Sequence, residues 1–464
     1  MRPTDTEGRG GRAVPLRLLA LMVSIFCIGT AELLPGGVLP QLADDLDVSI
    51  SSAGLLVTFY AVAMVVGGPL VTGLTMRLPR RRLLIALMVT FLAGSTLAAL
   101  APSYEVLVVA RVVCALTQGT FVAVSIVVAA GMVAPEKAGT AVSTTVLGYN
   151  LATVLGVPVG TLVGQHFGWR TTFGAIAVLS VAGVALLAWL LPAGAADPTA
   201  SVRREIRVFA SRGVLLSIVV TVLATGGMFT LITYMVPVLT DVSGVSSTAV
   251  PVLLVVYGLG SLAGNMIGGR LADRSSLPSL VASLGALTAA CLLFGLLGPV
   301  RPLAVVMVLV FALATFVVVP VLQTYTLHQA ADAPALSVTV NMSAFGLGAA
   351  IGSWYGGTVI DSSFGVGGVA VASAVLTGAA GLVALALYLT SRRAPRTSPG
   401  ADRPPAGAST PGSAVASGSA VAPGGAVASG GAVAPGGAVA SGGAVASGES
   451  GPVSEELAVG GGGR

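Results

Sequence analysis

The chain of 464 residues is too apolar for a soluble protein. Hydrophobic residues make up 55% of it and charged residues only 9%, whereas soluble proteins carry about 25% charged residues. The mean hydropathy of +0.95 agrees with this. The composition excludes an ordinary soluble enzyme, a disordered protein and a nucleic-acid-binding protein, and it favours a protein that crosses a membrane several times.

Twelve apolar segments are long enough to cross a bilayer, since a spanning helix needs about 20 apolar residues. The predicted spans are 17–40, 52–75, 83–101, 105–133, 140–164, 170–192, 213–239, 250–271, 278–298, 302–327, 335–360 and 367–390. We therefore predict an all-α membrane protein with twelve transmembrane helices.

The basic residues indicate how these spans are oriented. With both ends of the chain in the cytoplasm, twenty of the 23 Lys and Arg residues lie on the cytoplasmic side, as the positive-inside rule requires. Only Arg170 and Arg301 lie outside, and Arg111 lies within the fourth span. We expect a multi-pass protein of the cytoplasmic membrane, in contact with lipid and without a nucleic-acid partner.

The chain divides into two halves of six spans. We predict a cytoplasmic N-terminus at 1–16, a first half at 17–192, a cytoplasmic linker at 193–212 and a second half at 213–390. The halves repeat weakly, because the glycines of the fifth span are echoed at the same spacing in the eleventh. Two such parallel halves are typical of one large class of secondary transporters.

The C-terminal segment 391–464 has a different composition, dominated by Pro, Gly, Ser, Ala and Val. The triplet Ala-Val-Ala recurs six times at a period of six residues between Ala414 and Ala446. Such a segment lacks the large side chains needed to build a core, so we predict that it is disordered. A repeat expansion without function and a tether or partner-binding role both remain open.

One acidic residue, Glu32, lies deep inside an apolar span, whereas the other acidic residues lie in loops, at helix ends or in the tails. A charge at bilayer depth costs about 2.5–3.5 kcal/mol and usually faces a cavity. A carboxyl group that binds and releases a proton there is what proton coupling requires. Glu32 is thus the predicted proton-coupling residue, and a structural carboxyl held by a helix–helix hydrogen bond is the alternative.

Arg111, near the outer end of the fourth span, is the predicted cationic partner of Glu32. An arginine in a span needs a carboxylate or backbone carbonyls, so the candidates are Glu32 itself and the carbonyls around it. The alternative is an interfacial arginine that extends outwards to water.

A substrate cavity is expected near the midplane, between the two halves. The candidate lining residues are Thr30, Glu32, Gln118, Tyr149, Asn150, Tyr234, Tyr257, Asn265, Gln323, Asn341 and Tyr355. Each of them is alternatively a packing or helix–helix hydrogen-bonding residue. With one buried acid, dicationic substrates are disfavoured, and a neutral or weakly amphipathic compound suits a mostly apolar cavity.

The sequence predicts neither catalytic residues nor a bound cofactor. It holds no phosphate-binding loop with a lysine after glycines, which argues against ATP-driven transport. Its two histidines and three scattered cysteines form no zinc motif. The energy source is then an ion gradient, and with Glu32 in place a proton gradient.

Several motifs resemble those of the twelve-helix drug:proton antiporters of the major facilitator superfamily, in particular the actinobacterial chloramphenicol-efflux transporters. The resemblance covers about 15–390 and is carried by 29–49, by the fifth span and by Gly168-Trp169-Arg170 after it. The antiporter motif of that family maps onto Gly148, Gly156, Pro158, Gly160 and Gly164. The helix 4 arginine and helix 1 acid of the family map onto Arg111 and Glu32.

The gating motif of the family is degenerate in the loop after the second span. Met76 stands in place of its aspartate and Pro79 in place of its second glycine, while Arg77, Arg80 and Arg81 remain. The intact copy follows the eighth span, where the motif residues are Gly269, Asp273 and Arg274.

The resemblance implies a monomeric exporter of small organic compounds that works by alternating access in exchange for protons. Chloramphenicol-type antibiotics are the first substrates to expect, and the alternative is an efflux carrier for sugars or nucleosides. A proton-independent facilitator and a non-transporting membrane sensor remain as alternatives from other functional classes.

Overall fold

The computed structural model describes residues 7–75, 78–134, 137–192, 212–274, 276–329 and 334–393. Twelve long helices run through them: α1 (Glu7–Gly37), α2 (Ile50–Thr75), α3 (Arg80–Ala99), α4 (Tyr104–Gly131), α5 (Ala138–Phe167), α6 (Trp169–Leu190), α7 (Arg212–Thr233), α8 (Val250–Arg274), α9 (Ser276–Leu297), α10 (Arg301–Gln329), α11 (Pro334–Ile360) and α12 (Val369–Arg393). Within the described residues, eleven of them meet the length and apolarity needed to cross a membrane, and α11 is the other long helix. The predicted all-α fold of twelve helices is confirmed.

Some predictions concern residues outside the described ranges. They are residues 1–6 of the predicted cytoplasmic N-terminus, most of the linker at 193–212, the repeat segment from 394 onwards, and Met76 and Arg77 of the gating motif.

The helix contacts of the first half recur in the second half, six helices later. In the first half α1 packs on α5 and α6, α2 packs on α4, and α3 packs on α4 and α6. In the second half α7 packs on α11 and α12, α8 packs on α10, and α9 packs on α10 and α12. The weak repeat in the sequence therefore corresponds to two similarly packed six-helix bundles.

Each half has its own apolar core, and the two cores meet along two pairs of helices. One core lies among α1–α6. The other lies among α7–α12 and extends across the contact between the halves to Ala53, Val57 and Ala61 of α2. The halves contact each other where α2 packs on α11 and where α5 packs on α8. Many large apolar side chains, Trp189 and Leu74 among them, are exposed on the outside of the bundle, which is the arrangement expected of a surface that faces lipid.

The two ends of the bundle carry opposite charges. We call the end with the connecting segments 38–49, 234–249 and 361–368 the acidic end, because it holds Asp44, Asp45, Asp47, Asp241 and Asp361. The first of these segments contains a short helix, Leu39–Asp45. The opposite end is the basic end, where α1 and α6 meet the loop before α3.

Prolines interrupt the helices where the sequence predicted continuous spans. The predicted fifth span is helical to Leu151, passes through a π-helical turn at Ala152–Gly156 and resumes as Val157–Phe167. Pro158 lacks the N–H that would bond to the carbonyl of Val154 inside that turn. The predicted seventh span is helical to Thr233, breaks at Tyr234, and resumes as Met235–Pro237 and a π-helical turn at Val238–Val242. The break lies where Pro237 cannot donate to the carbonyl of Thr233.

Candidate functional site

Arg111 binds the backbone of α1 where a proline has freed a carbonyl group. Pro35 has no N–H, so the carbonyl of Ala31, four residues earlier, loses its helical partner. Arg111 of α4 donates through Nη1 to this carbonyl and through Nη2 to the carbonyl of Glu32 at 3.1 Å. With 1% exposure, Arg111 does not extend to water. Its partners are the backbone carbonyls that the sequence left as one of two possibilities.

The carboxylate of Glu32 lies inside the first half and is held by two side chains. Gln118 of α4 donates from Nε2 to Glu32 Oε2 at 2.6 Å, and the Tyr149 hydroxyl of α5 donates to the same oxygen at 3.0 Å. Glu32 is 8% exposed. The structure thus brings together four of the predicted site residues, from three helices.

Tyr60 of α2 completes this cluster, and the sequence did not single it out. Its ring lies beneath the guanidinium of Arg111, with 4.0 Å between Cζ and the ring centroid. Its hydroxyl donates to Oε1 of Gln118. The contacts therefore run from Glu32 through Gln118 and Tyr60 to Arg111, and back to the backbone of Glu32. We call these five residues, Glu32, Tyr60, Arg111, Gln118 and Tyr149, the Glu32 cluster.

The Glu32 cluster borders a small pocket between the two halves. The pocket is lined from the first half by Glu32, Leu33, Gly36 and Val57, and from the second half by Phe229, Ile232 and Thr233. With a volume of about 10 Å³, the pocket has room for about one water molecule in this conformation. The buried carboxylate thus lies at the junction of the two halves, which is the expected place for the binding site of a two-half transporter.

The glycines of the predicted antiporter motif form the contact of α5 with α1. A Cβ on Gly156 would overlap the hydroxyl of Thr30, one on Gly160 would lie 2.7 Å from Leu34, and one on Gly164 would lie 2.8 Å from Val38. Gly148 lies against a backbone carbonyl of α1, and Pro158 is buried beside the π-helical turn. Small residues let two helices approach closely, and here they bring Tyr149 to Glu32.

The second half uses glycines of α11 against α7 in the same way. A Cβ on Gly348 would overlap Thr225, and one on Gly352 would overlap the backbone of Gly226. A Cβ on Gly356 would lie 2.7 Å from the ring of Tyr234. The echo seen in the sequence is thus a repeated helix–helix contact.

The other predicted binding residues differ in their surroundings. Thr30 packs on Gly156, and its buried hydroxyl has no hydrogen-bond partner among the described atoms. Asn341 accepts a hydrogen bond from Thr221 at 3.3 Å, and Tyr257 packs on phenylalanines of α10. Four further predicted residues are half-buried, namely Asn150, Asn265, Gln323 and Tyr355.

Tyr234 lies at the acidic end, where α7 breaks. It is fully buried and donates to the carbonyl of Ser353 of α11 at 2.9 Å. Its hydroxyl also lies where a Cβ on Gly54 of α2 would be. Tyr234 therefore packs between the two halves rather than in the pocket beside Glu32.

The gating-motif residues lie at the basic end. Arg81 donates to the carbonyl of Ala188, and Arg17 donates from Nε to the carbonyl of Leu190 at 3.1 Å. These two arginines thus bind the last carbonyls of α6, where a positive charge also complements the helix dipole. The remaining described motif residues lie at the start of α3 or the end of α8, and they are Arg80, Gly269, Asp273 and Arg274.

A second polar cluster holds the acidic end of the first half together. Asp45 accepts hydrogen bonds from Trp169 at 3.0 Å and from Arg170, which also donates to the carbonyl of Ala101 at 3.0 Å. The hydrogen bond from Arg170 lowers the pKa of Asp45 below its ordinary value, and the bond from Trp169 adds to this. The Gly168-Trp169-Arg170 motif therefore joins the start of α6 to the loop after α1.

Comparison with known sequences places these features among transport proteins. The sequence profile described as Major Facilitator Superfamily matches residues 21–344. The inner membrane transport protein YdhP of Escherichia coli (strain K12) is 40% identical over 380 residues, which cover 82% of this chain and 97% of that protein. A chloramphenicol resistance protein of Streptomyces lividans is 34% identical over 376 residues, which cover 80% and 96%.

Among solved structures, a D-xylose-proton symporter matches with a TM-score of 0.65 at 16% sequence identity. The match covers 80% of this chain and 97% of the symporter. At this identity the likeness concerns the fold alone.

Proposed function

Because the chain belongs to the major facilitator superfamily, we propose that it exports small organic compounds across the cytoplasmic membrane in exchange for protons. Its relatives include an inner membrane transport protein, and its long apolar helices make it a multi-pass membrane protein. In the proposed cycle the halves rock against each other around the pocket beside Glu32, with both termini in the cytoplasm. The protein acts as a monomer and needs only the proton gradient.

The observation that carries this proposal is the position of Glu32. It is a buried carboxylate with polar partners from two other helices, and it borders a pocket that both halves line. In the proposed cycle, separation of the halves enlarges this pocket, and the carboxyl group then exchanges protons with the same space that a substrate enters. This supports coupling between the two, since occupancy by one alters the site for the other.

Chloramphenicol-type antibiotics are the proposed substrates. A relative at 34% identity over most of both chains is named for chloramphenicol resistance. The pocket lining is mostly apolar with a few polar groups, as in sites for neutral molecules. In this conformation its volume of about 10 Å³ holds about one water molecule, so the proposed cycle requires the halves to separate before a drug binds there. Sugar and nucleoside efflux form the second proposal, to be tested with the same variants.

The test measures accumulation of radiolabelled chloramphenicol in bacteria that lack their own efflux pumps. Cells with the wild-type protein should accumulate severalfold less drug than cells with an empty vector, and a protonophore should abolish the difference. Glu32→Gln, at equal expression, should behave like the empty vector. Glu105→Gln is the matched control, because Glu105 is exposed at the start of α4, and this variant should export like wild type.

Two results would contradict the proposal in different ways. If wild-type cells accumulate as much chloramphenicol as vector cells, chloramphenicol is not a substrate, and labelled nucleosides and sugars are then measured in its place. If Glu32→Gln still exports drug against a gradient, proton coupling does not depend on Glu32.

A further inference from the structure

We propose that an anionic phospholipid binds to the outside of the first half, with its phosphate on Arg82 and its acyl chains along α3 and α6. This surface lies at the basic end and is separate from the Glu32 cluster, so the inference goes beyond the proposed function. Three observations carry it: the packing of α3 on α6, the exposed surface that this packing creates, and the charge at its end.

The packing of α3 on α6 brings Arg82 and Trp189 to one side of the helix pair. Because α3 begins and α6 ends at the basic end, the two helices are antiparallel, and there Arg81 donates to the carbonyl of Ala188. Successive residues of a helix are rotated by about 100°. Arg82 and Trp189 each follow one of these two contact residues, and in antiparallel helices this rotation turns both towards the same side.

An exposed apolar surface continues from Arg82 and Trp189 along both helices. Trp189 is 85% exposed, and Arg82 is exposed as well. The exposed residues of the next two turns are small or apolar, and they are Ala86 and Val89 of α3 and Ala185 and Ala182 of α6. Val89 lies about 10 Å along α3 from Arg82, which is within the hydrocarbon depth of one leaflet, about 15 Å. We call these six residues the α3–α6 face.

Arg82 supplies a positive charge that is open to a ligand. Arg81 and Arg17 donate to the last carbonyls of α6, where their charges offset the negative end of the helix dipole. Among the side chains that the structure describes, no acidic one pairs with Arg82, because those of the first half lie in the Glu32 cluster or at the acidic end. A guanidinium binds a phosphate through two parallel hydrogen bonds, so Arg82 is suited to a phosphate at the end of the α3–α6 face.

Charge complementarity makes an anionic lipid the occupant of the α3–α6 face. A zwitterionic headgroup carries its own cation beside the phosphate and leaves the charge of Arg82 uncompensated. A second copy of this chain, related by a two-fold axis normal to the membrane, would bring Arg82 towards its own copy at the same depth, and such like-charge contacts are unfavourable. Trp189 also favours lipid, since tryptophan is enriched at the level of the headgroups, where basic residues attract anionic lipids.

The test measures how brominated lipids quench tryptophan fluorescence of the purified, full-length protein in vesicles. The probes are dibrominated phosphatidylglycerol (anionic) and dibrominated phosphatidylcholine (zwitterionic), each at the same low fraction in unbrominated phosphatidylcholine. Trp354→Phe leaves Trp189 as the exposed tryptophan, because Trp169 is buried. In this variant the association constant derived from quenching should be about fivefold or more higher for phosphatidylglycerol than for phosphatidylcholine.

Matched variants separate Arg82 from the net charge of the basic end. Arg82→Gln, added to Trp354→Phe, should remove the preference for phosphatidylglycerol. Arg270→Gln in the same background is the control, because Arg270 is an exposed arginine at the basic end of the second half, and it should leave the preference unchanged. Trp189→Phe makes Trp354 of α11, 53% exposed, the reporter, and the two lipids should quench it equally.

Each contrary outcome overturns the lipid site. Equal quenching of Trp189 by both lipids would show that the α3–α6 face does not select an anionic headgroup. A preference that survives Arg82→Gln, or that Trp354 shows to the same degree, would come from the general attraction of the basic end and not from a site at Arg82. If neither lipid quenches Trp189, protein covers this face, and a doubled mass in light scattering would identify that protein as a second copy.

Discussion

At the scale of single residues, Tyr60 links the two buried charges of the site. Its ring packs on Arg111, and its hydroxyl donates to the Oε1 atom of Gln118, whose Nε2 donates to Glu32. Because its oxygen is engaged by Tyr60, Gln118 presents its N–H groups to the carboxylate. Tyr60 is therefore a positioning residue for Gln118 and, through it, for Glu32.

Tyr60→Phe should lower transport severalfold and shift its pH profile. The variant keeps the ring beneath Arg111 but frees Gln118 to rotate its amide and withdraw its N–H from Glu32. Loss of one hydrogen bond costs only about 1 kcal/mol of folding stability, so the protein should remain folded. Transport rates across a pH series test this. Tyr104→Phe, which loses a hydroxyl bond to Ser52 at the acidic end, is the control and should leave the profile unchanged.

Asp45→Asn should weaken the fold at neutral pH but not at low pH. The pKa of Asp45 is lower in the folded protein than in an unfolded chain. Its ionised form therefore stabilises the fold above about pH 4, and this contribution disappears as the pH falls through the lowered pKa. Because the pair with Arg170 is partly exposed, solvent screening limits the effect to below about 1 kcal/mol.

The measurement for Asp45 is the melting temperature of the detergent-solubilised protein across this pH range. The wild type should lose its advantage over Asp45→Asn as the solution is acidified. Asp44→Asn changes an exposed neighbour on the same short helix and should match the wild type throughout. A constant difference between wild type and Asp45→Asn at every pH would show that the ion pair is not its source.

The sequence predicted the charged members of the site because a charge inside an apolar span is rare. Glu32 and Arg111 stand out for that reason, and Gln118 and Tyr149 are polar residues of the kind that line a cavity. Tyr60 carries no such signal, since buried aromatic residues are common. Its role depends on how α2 is rotated against α4, which a sequence pattern does not specify.

At the scale of helices, threonine hydroxyls packed on glycines fix two equivalent helix pairs. Thr30 of α1 lies over Gly156 of α5, and Thr225 of α7 lies over Gly348 of α11. Side-chain oxygens that approach glycine Cα–H groups recur at close helix contacts. Either contact closes only if no Cβ is present, so each glycine determines the distance between its two helices.

Gly156→Ala should destabilise the first half by about 1–3 kcal/mol, the usual cost of overpacking, and should abolish transport. The new Cβ would overlap the Thr30 hydroxyl and push α5, with Tyr149, away from Glu32. Thermal stability and transport are both measured. Gly139→Ala, also on α5 but with nothing within 4 Å of the added carbon, should behave like wild type. Adding Thr30→Ala to Gly156→Ala should restore part of the stability, and no restoration would rule out this clash as the cause.

Helix boundaries were predicted well where the length of an apolar segment determines them. They were predicted poorly where a proline interrupts the helical hydrogen bonds. The span 140–164 was predicted as one helix with a bend, but the structure holds a π-helical turn at Ala152–Gly156. The span 213–239 was predicted as one helix, but the structure has a break at Tyr234, after which helical structure resumes at Met235. In both places an apolar composition continues through a local break in hydrogen bonding, so hydropathy alone does not detect it.

At the scale of the whole molecule, the two halves are in close contact at the acidic end. Tyr234 packs against Gly54, and Gln165 of α5 donates to the carbonyl of Ser247 before α8 at 2.7 Å. A Cβ on Gly357 of α11 would lie 3.4 Å from the Cβ of Ser51 of α2. Alternating access requires these contacts to open once in each cycle.

A disulfide across this contact should stop transport reversibly. In Ser51→Cys/Gly357→Cys the two Cβ atoms would lie close to the 3.5–4.5 Å separation that disulfides need, and the three native cysteines are free and buried. Oxidant should arrest chloramphenicol exchange in proteoliposomes, and reductant should restore it, because the closed disulfide bond prevents α2 and α11 from separating.

The control is Ala99→Cys/Gly174→Cys, which joins α3 to α6 within one half, with 3.9 Å between the Cβ positions. This control should cross-link without loss of exchange, because a half that moves as a unit keeps that distance. Exchange at the wild-type rate through a cross-linked Ser51–Gly357 pair would show that the halves do not separate at the acidic end.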